Sequence, residues 1–457
     1  MNPTRRELLS TAAAFFFEPQ APADLTLTIG PVDVAIAPKR NIRTTGYNGA
    51  IPGPVLRFPE GRAITVDVVN ETSEPELVHW HGQFIPPEVD GSSEEGTPVV
   101  PARGRRRYSF TPRPSGTRWY HSHVYAGHNL HRSTYSGQYG VLIVEPRQNP
   151  ARYDQEIPLA LHGWNPYLST HAGGGEGDEG SLEVHYGAHT INSHALGAGD
   201  PVRVHEGERV LFRIVNASAT LVHRLALPGH KFTVVALDGN AVPNPAAVNV
   251  LELAPGERID AMVQMNQPGV IILGEVNDQV RKLGMGVVVE YAGRTGEPQW
   301  IAPPDEHWDY TLFGRNEPAP EPAETIPLVF KNKWAGNRAV DHWTINGKEY
   351  PKTAPIQVRT GNRYRLIFDN QSDDMHPVHL HRHSFELVSV AGRPTRGLFK
   401  DVVDVMPRTR VEALLVADNP GLSLFHCHMQ LHMDFGFMTM LQYAGEPAAK
   451  PMSHGRT

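Results

Sequence analysis

Three stretches of this chain repeat one short pattern, and the repeat constrains the fold more than any other feature of the sequence. Each begins at a turn glycine, continues through residues of alternating character and ends at an asparagine: residues 61–70, 207–216 and 361–370. Such a segment is typical of a β-strand between two turns. The copies lie roughly 150 residues apart, and a period of that length indicates duplicated domains rather than a solenoid.

The composition agrees with a chain of strands and turns. The sequence has 40 prolines and 42 glycines, its apolar runs are short and rich in Val, Ile and Leu, and no segment keeps an amphipathic helical period over several turns. It therefore predicts an all-β protein. We expect domains at 24–147, 150–297 and 328–445, a linker rich in proline and acidic residues at 298–327, and a polar tail at 446–457.

Histidines gather in four clusters, and one cluster contains the only cysteine of the chain. The clusters are His79-Trp80-His81, His121-Ser122-His123, His376-Pro377-Val378-His379-Leu380-His381, and His426-Cys427-His428 followed by His432. Alternate side chains of a strand point to one face, so a His-x-His pair presents two imidazoles together. The first and third copies of the repeat carry these clusters at matching places. The middle copy keeps only His223, which we interpret as structural.

This set of side chains favours copper. A thiolate with two imidazoles suits a trigonal copper site, so we expect His376, Cys427 and His432 to hold one ion. The other eight imidazoles are too many for a single ion and can hold three. Zinc is the alternative for the His-x-His pairs, but it matches the His, His, Cys trio less well. Because Cys427 lies between His426 and His428, it gives electrons a covalent path between the two sites.

On these four motifs, nearly the whole chain beyond its N-terminal segment resembles the multicopper oxidases, and among them the three-domain laccase-like enzymes of bacterial type. The resemblance implies three cupredoxin-like Greek-key β-sandwich domains and four copper ions. It implies oxidation of a donor in four one-electron steps, coupled to reduction of O2 to water. The ligand sets that it implies are His376, Cys427 and His432 for type 1 copper, His79 and His379 for type 2, and His81, His121, His428 and His123, His381, His426 for the two type 3 ions.

Two further residues take roles from the resemblance. Phe437 stands at the axial position of the type 1 site, where many bacterial relatives have methionine, and a side chain that cannot ligate should raise the reduction potential. Asp90 looks like the family's acidic residue near type 2 copper, and it would supply protons for oxygen reduction. Its alternative role is that of a turn aspartate before Gly91. Asp434, which follows Met433 where relatives often have glutamate, is the other candidate proton donor.

The leading functional hypothesis is oxidation of phenols and similar aromatic donors. The alternative is a metal oxidase for Cu(I) or Fe(II); no dense methionine segment is present, although Met375, Met429 and Met433 lie near the ligands. A copper nitrite reductase fits less well, because its two-domain design lacks the eight-histidine cluster. A non-enzymatic envelope scaffold would require missing ligands, and every ligand is present.

The N-terminal residues 1–23 predict an exported protein. They contain Arg5-Arg6, a short apolar run and Ala21-Pro22-Ala23, which resembles a twin-arginine signal with a small-residue cleavage site. We therefore expect a periplasmic or secreted protein. No apolar stretch is long enough to span a membrane. A formal net charge of −7 without a basic stripe argues against nucleic acid as a partner.

Overall fold

The computed structural model describes residues 21–148, 152–170 and 180–445. Within these ranges the chain forms six β-sheets in three successive pairs. The prediction of an all-β protein built from β-sandwiches is confirmed. Residues 1–20 of the predicted signal segment and the tail at 446–457 lie outside the described residues.

The first pair of sheets is formed by strands between residues 25 and 145, in the orders β2-β1-β4-β6 and β3-β8-β7-β5. Its strands are β1 (Leu25–Ala37), β2 (Arg40–Tyr47), β3 (Leu56–Pro59), β4 (Ile64–Asn70), β5 (His79–His81), β6 (Arg105–Phe110), β7 (Gly116–His121) and β8 (Tyr139–Glu145). A short helix, α1 (Pro87–Asp90), and a 3-10 turn at Ser133–Tyr135 lie in its loops.

The second pair follows between residues 155 and 291, in the orders β10-β9-β12-β17-β14-β15 and β11-β19-β18-β13-β16. Its strands are β9 (Gln155–Thr170), β10 (Leu182–Ile191), β11 (Val202–Val204), β12 (Arg209–Asn216), β13 (His223–Ala226), β14 (Phe232–Leu237), β15 (Asn240–Val248), β16 (Val250–Leu253), β17 (Arg258–Gln264), β18 (Val270–Glu275) and β19 (Gly286–Tyr291), with helix α2 at Asp278–Lys282.

The third pair lies between residues 324 and 443, in the orders β21-β20-β23-β28-β25-β26 and β22-β30-β29-β24-β27. Its strands are β20 (Glu324–Lys333), β21 (His342–Ile345), β22 (Ile356–Val358), β23 (Arg363–Asn370), β24 (His376–Leu380), β25 (Phe385–Val390), β26 (Arg393–Lys400), β27 (Val402–Val405), β28 (Arg410–Val416), β29 (Ser423–Cys427) and β30 (Met438–Tyr443), with helix α3 at Gln430–Asp434.

The repeated sequence forms the same strand in each pair of sheets. β4, β12 and β23 each run parallel to an earlier strand and antiparallel to a later one. The asparagine at the end of each strand does more than begin a turn, since it is buried and its Nδ2 donates both to a carbonyl of the following loop and to a segment farther along the chain. Asn370, for example, donates to Asp374 O at 2.7 Å and Val405 O at 2.9 Å. These bonds fix the turn that leads into the next strand, which carries histidine.

The proline-rich segment 298–327 is more than a spacer between domains. It contains a 3-10 turn at Tyr310–Phe313, whose Tyr310 and Phe313 side chains are buried. The Tyr310 hydroxyl donates to Glu257 Oε1 at 2.6 Å. Strand β20 begins at Glu324, inside the predicted linker, because its residues pair with β23 from Glu324 onward. None of the helices in the described ranges has the length and apolar character needed to cross a membrane.

Candidate metal centres

Equivalent strand pairs carry the histidines in the first and third pairs of sheets. In the first pair, β5 runs antiparallel to β7 with His79 opposite His121. In the third pair, β24 runs antiparallel to β29 with His379 opposite His426. Each pairing brings two clusters together on one sheet. The middle copy repeats the arrangement with β13 and β18, but there His223 bonds to Ser218 and Glu275, as expected for a structural residue.

Eight imidazoles from the first and third sheet pairs meet in three groups. The groups are His79, His81, His379; His81, His121, His428; and His123, His381, His426, and in each group the candidate ligand atoms lie within 4.8 Å of one another. The closest nitrogens are Nε2 of His381 and His426, 3.1 Å apart. Two further pairs lie 3.4 Å apart: Nε2 of His79 and His379, and His81 Nδ1 with His121 Nε2. The two histidines of each His-x-His pair therefore belong to different groups. His79 and His81 are the exception, since both also belong to the group with His379.

Seven of these imidazoles have a lowered pKa, which favours the neutral state that a metal ion requires. All are buried, and burial lowers the pKa of His428 to about 3 and of His123 to about 4. Neutral imidazoles keep a lone pair for a cation. Within the described part of the chain, both ring nitrogens of His428 lack a hydrogen-bond partner, and unpaired buried nitrogens are costly unless something binds them. The donor set therefore fits metal ions, and nitrogen ligands at this density suit copper.

Asp401 orients two of the imidazoles and was not singled out from the sequence. Its Oδ1 lies 2.9 Å from His81 Nε2, and its backbone carbonyl accepts from His379 Nδ1 at 2.8 Å. Arg258 from the middle domain donates to both Asp401 oxygens at 2.6 Å. Hydrogen bonds of this kind fix the tautomer and the plane of a metal-ligating histidine. The copy of the repeat without ligands therefore still contributes to the cluster.

Asp90 lies at the same cluster and is fully buried. Its Oδ2 accepts from His381 Nδ1 at 2.8 Å and lies 3.1 Å from His79 Nδ1. Asp90 ends helix α1, and Gly91 follows with a φ of 105°. A Cβ on Gly91 would lie 2.1 Å from Val78 O, so only glycine permits this approach.

A second carboxyl group, Glu95, lies beside Asp90. Its Oε1 is 3.3 Å from His381 Nδ1, and it accepts from the Leu424 amide at 2.6 Å. Burial, and then the charge of Asp90, raise the pKa of Glu95 well above its usual range. The only sequence signal was the Glu94-Glu95 pair just after Asp90-Gly91. Asp434, by contrast, accepts from the amides of Ala126 and Gly127 and so holds a loop of the first domain.

His376, Cys427 and His432 form a fourth group. Cys427 Sγ lies 3.5 Å from His432 Nδ1 and 3.8 Å from His376 Nδ1, and the two nitrogens are 3.1 Å apart. Burial raises the pKa of the Cys427 thiol well above its usual range. A thiolate at neutral pH therefore needs a cation bound beside it.

Phe437 and Met438 face different parts of the protein. The Phe437 ring lies 4.7 Å from the His376 ring and is fully buried. Met438 packs in a separate cluster with Leu424 and Met440. Phe437 is thus the residue that borders the sulfur-containing group, and it offers no ligand atom.

A cavity of about 640 Å³ lies against the sulfur-containing group, between the middle and third domains. Its wall includes Trp343 and His432, a residue that is 8% exposed. Carboxylates and thioethers also line it: Asp341, Asp373, Asp374, Met375 and Met429. Its volume is within the usual range for small-molecule sites.

Comparison with known proteins gives a consistent family. Models described as multicopper oxidase match residues 28–149, 170–271 and 325–446. The chain is 32% identical to the multicopper oxidase MmcO of Mycobacterium tuberculosis, over 88% of this chain and 83% of the relative. It is 23% identical to copper resistance protein A of Escherichia coli, over 90% and 91%.

Solved structures agree. The multi-copper oxidase from Pseudomonas Thermotolerans superposes with a TM-score of 0.71 at 26% identity, covering 93% of this chain and 100% of that one. The family matches, the relatives and the histidine groups of this protein lead to one conclusion: the chain belongs to the multicopper oxidases, a family of copper-dependent, cupredoxin-like oxidoreductases that use O2.

Proposed function

We propose that this protein is a laccase-like oxidase that takes single electrons from phenolic or similar aromatic donors and reduces O2 to water, with four copper ions. The supporting observation is the cavity beside His432, which is large enough for an aromatic ring. Since His432 directs Nδ1 toward Cys427, its Nε2 is the nitrogen available to a donor hydroxyl. Bound copper would supply the one-electron chemistry that none of these side chains can perform alone.

The chain itself provides the connection between the two sites. Cys427 belongs to the group at the cavity, while its neighbours His426 and His428 belong to the groups of the eight-histidine cluster. An electron entering at His432 therefore has a path of covalent bonds through one short segment. We assign His376, Cys427 and His432 to type 1 copper, His79 and His379 to type 2, and the two remaining groups to type 3.

Reduction of O2 also needs protons, and we assign their supply to Asp90 with Glu95. Both carboxyl groups lie at His381, on the cluster side. Burial and the charge of Asp90 raise the pKa of Glu95, which favours the protonated form that a general acid requires.

A metal oxidase is the second candidate, and the cavity wall is the observation that favours it. Asp373, Asp374, Met375 and Met429 offer carboxylate and thioether groups. Thioethers are ligands that select Cu(I). The name of the relative copper resistance protein A agrees with this candidate.

Oxygen uptake with a panel of phenols, compared with Cu(I) and Fe(II), separates the two candidates. We expect phenols to give the higher kcat/KM and the copper-loaded protein to be blue. Cys427→Ser is the control, and it should abolish colour and oxygen uptake while the fold is kept. Oxygen uptake with Cu(I) or Fe(II) but with none of the phenols would contradict the laccase-like proposal. A colourless oxidised protein with full copper content would contradict the type 1 assignment.

We also propose a periplasmic or secreted location, reached by twin-arginine export. The support is the Arg5-Arg6 pair and the apolar residues that follow it. Expression in a bacterial host, with fractionation, tests this. Replacing both arginines by lysine should retain the protein in the cytoplasm, and unchanged export would contradict the proposal.

A further inference from the structure

His432 differs from His376, the other histidine of the sulfur-containing group, in how its ring is held. Metal-ligating histidines usually donate their second ring nitrogen to a protein acceptor. His376 follows this rule, since its Nε2 bonds Ser372 Oγ at 2.8 Å, and so does His379, whose Nδ1 donates to a carbonyl. Nε2 of His432 has no hydrogen-bond partner among the described residues. A bond there would occupy the nitrogen that a donor in the cavity would contact.

The Trp343 indole lies against this imidazole instead. The two ring centroids are 4.0 Å apart, and the planes differ by 23°, which is a stacked arrangement. Trp343 is held on two sides: its indole N–H donates to Asp374 Oδ2 at 2.9 Å, and its backbone N–H donates to Phe435 O at 3.0 Å. With only 4% of its surface exposed, the indole has little freedom to turn.

We propose that Trp343 is a positioning residue for His432: the stacked, anchored indole fixes the plane of the imidazole through its face and so leaves Nε2 free at the cavity. A ring contact and a hydrogen bond both restrict rotation, but only the ring contact leaves the nitrogen unoccupied. The proposal rests on the proposed function, because it takes His432 as the ligand that faces the donor.

The anchor connects Trp343 to the second histidine of the group. Asp374 precedes His376 by two residues, and Asn370 at the end of β23 donates to its carbonyl at 2.7 Å. The same turn therefore places the Ser372 hydroxyl under His376 and the Asp374 carboxylate under Trp343. Both imidazoles of the sulfur-containing group are thus held from a single turn of the repeat.

The test compares Trp343→Leu, Trp343→Phe and the matched control Trp300→Leu in the copper-loaded protein. Trp300 is a half-buried indole outside the cavity, with Arg281 above its ring at 3.9 Å. The readouts are the electron paramagnetic resonance spectrum of the blue centre and its copper affinity by chelator competition. We expect Trp343→Leu to give a heterogeneous spectrum and about 10- to 100-fold weaker binding, the usual effect of losing an outer partner of a ligand.

Rescue by a ring distinguishes positioning from general packing. Trp343→Phe keeps a stacking face, so its spectrum should be sharper and its affinity closer to wild type than those of Trp343→Leu. Asp374→Asn keeps an oxygen acceptor for the indole and should resemble wild type, whereas Asp374→Ala should resemble Trp343→Phe. A wild-type spectrum and affinity in Trp343→Leu would overturn the proposal, and so would an equal loss in Trp300→Leu. If Trp343→Leu does not fold, a wild-type spectrum and affinity in Asp374→Ala would overturn it.

These readouts need no donor. A wild type that forms the blue centre and oxidises no phenol would contradict the proposed function, and the comparison of the Trp343 variants would still decide whether the indole positions His432.

Discussion

Arg258→Met should destabilise the protein by about 3 kcal/mol at pH 8, although Arg258 comes from the domain without copper ligands. Its guanidinium is fully buried and bonds both oxygens of Asp401. Removing one partner of a buried ion pair costs about 3–5 kcal/mol, because the other charge is left without compensation. We expect the lower end, since Arg118 lies 3.5 Å from Asp401, and Lys400 lies 3.0 Å from the neighbouring Asp238.

The effect should depend on pH in a defined direction. Burial already raises the pKa of Asp401 in the intact protein, and loss of Arg258 should raise it further. A carboxyl group whose pKa is raised in the folded state destabilises the fold once the pH rises above its ordinary pKa, and the loss is complete above the raised pKa. The loss of stability should therefore be largest at pH 8 and should shrink as the pH falls toward 5.

Urea unfolding of the copper-free protein measures this loss, and a second substitution provides the control. Asp401→Asn removes the uncompensated charge and keeps an amide near His81, so the double variant should recover part of the stability lost in Arg258→Met. A loss below about 0.5 kcal/mol at pH 8, the ordinary size for an indifferent site, would refute the reasoning. A double variant no more stable than the single one would do the same.

Other substitutions test the remaining assignments. Phe437→Met should lower the type 1 reduction potential, because a thioether donates to Cu(II); redox titration of the blue band checks this, and an unchanged or raised potential would mean that residue 437 is not axial. Asp90→Asn should leave anaerobic bleaching of the blue band by donor normal and slow re-oxidation by O2 by roughly one to three orders of magnitude, the scale of a lost general acid; unimpaired re-oxidation would leave Asp90 a purely structural role. Glu76, whose pKa burial raises to about 7, accepts from the Ser122 hydroxyl at 3.2 Å. Glu76→Gln should thus stabilise the protein by about 3 kcal/mol at pH 8 and hardly at pH 5, because a raised carboxyl pKa costs stability only when the pH is above the ordinary pKa of the group. An equal difference in unfolding midpoint between variant and wild type at both pH values would argue against a buried charge there.

The histidine groups were predictable because their information is local. A His-x-His pair on a strand fixes where two imidazoles point, and the repeat places β5 and β24 at equivalent positions of two sheet pairs. The residues that support the ligands carried no comparable signal. Asp401 and Arg258 meet across two domains, and Trp343 reaches His432 from β21, so sequence spacing does not reveal either contact.

In the segment at 298–327, composition gave no sign of the side chains that the structure buries. Its proline content describes how the backbone bends, and it says nothing of what the intervening side chains bury. Tyr310 and Phe313 are apolar enough to enter the core, and the Tyr310 hydroxyl finds an acceptor in Glu257. Composition averages over these two residues, although they are the ones that enter the core.

The separation of the ligands in the sequence makes copper uptake a checkpoint on complete synthesis. His79 meets His379, which lies 300 residues later in the chain. At a synthesis rate of about 5–20 residues per second, the first domain waits roughly 15–60 s for the second half of its cluster. A chain that stops early, or whose third domain misfolds, presents half-sets of imidazoles that cannot complete any of the three histidine groups. Full copper occupancy therefore reports that the last domain has folded and docked.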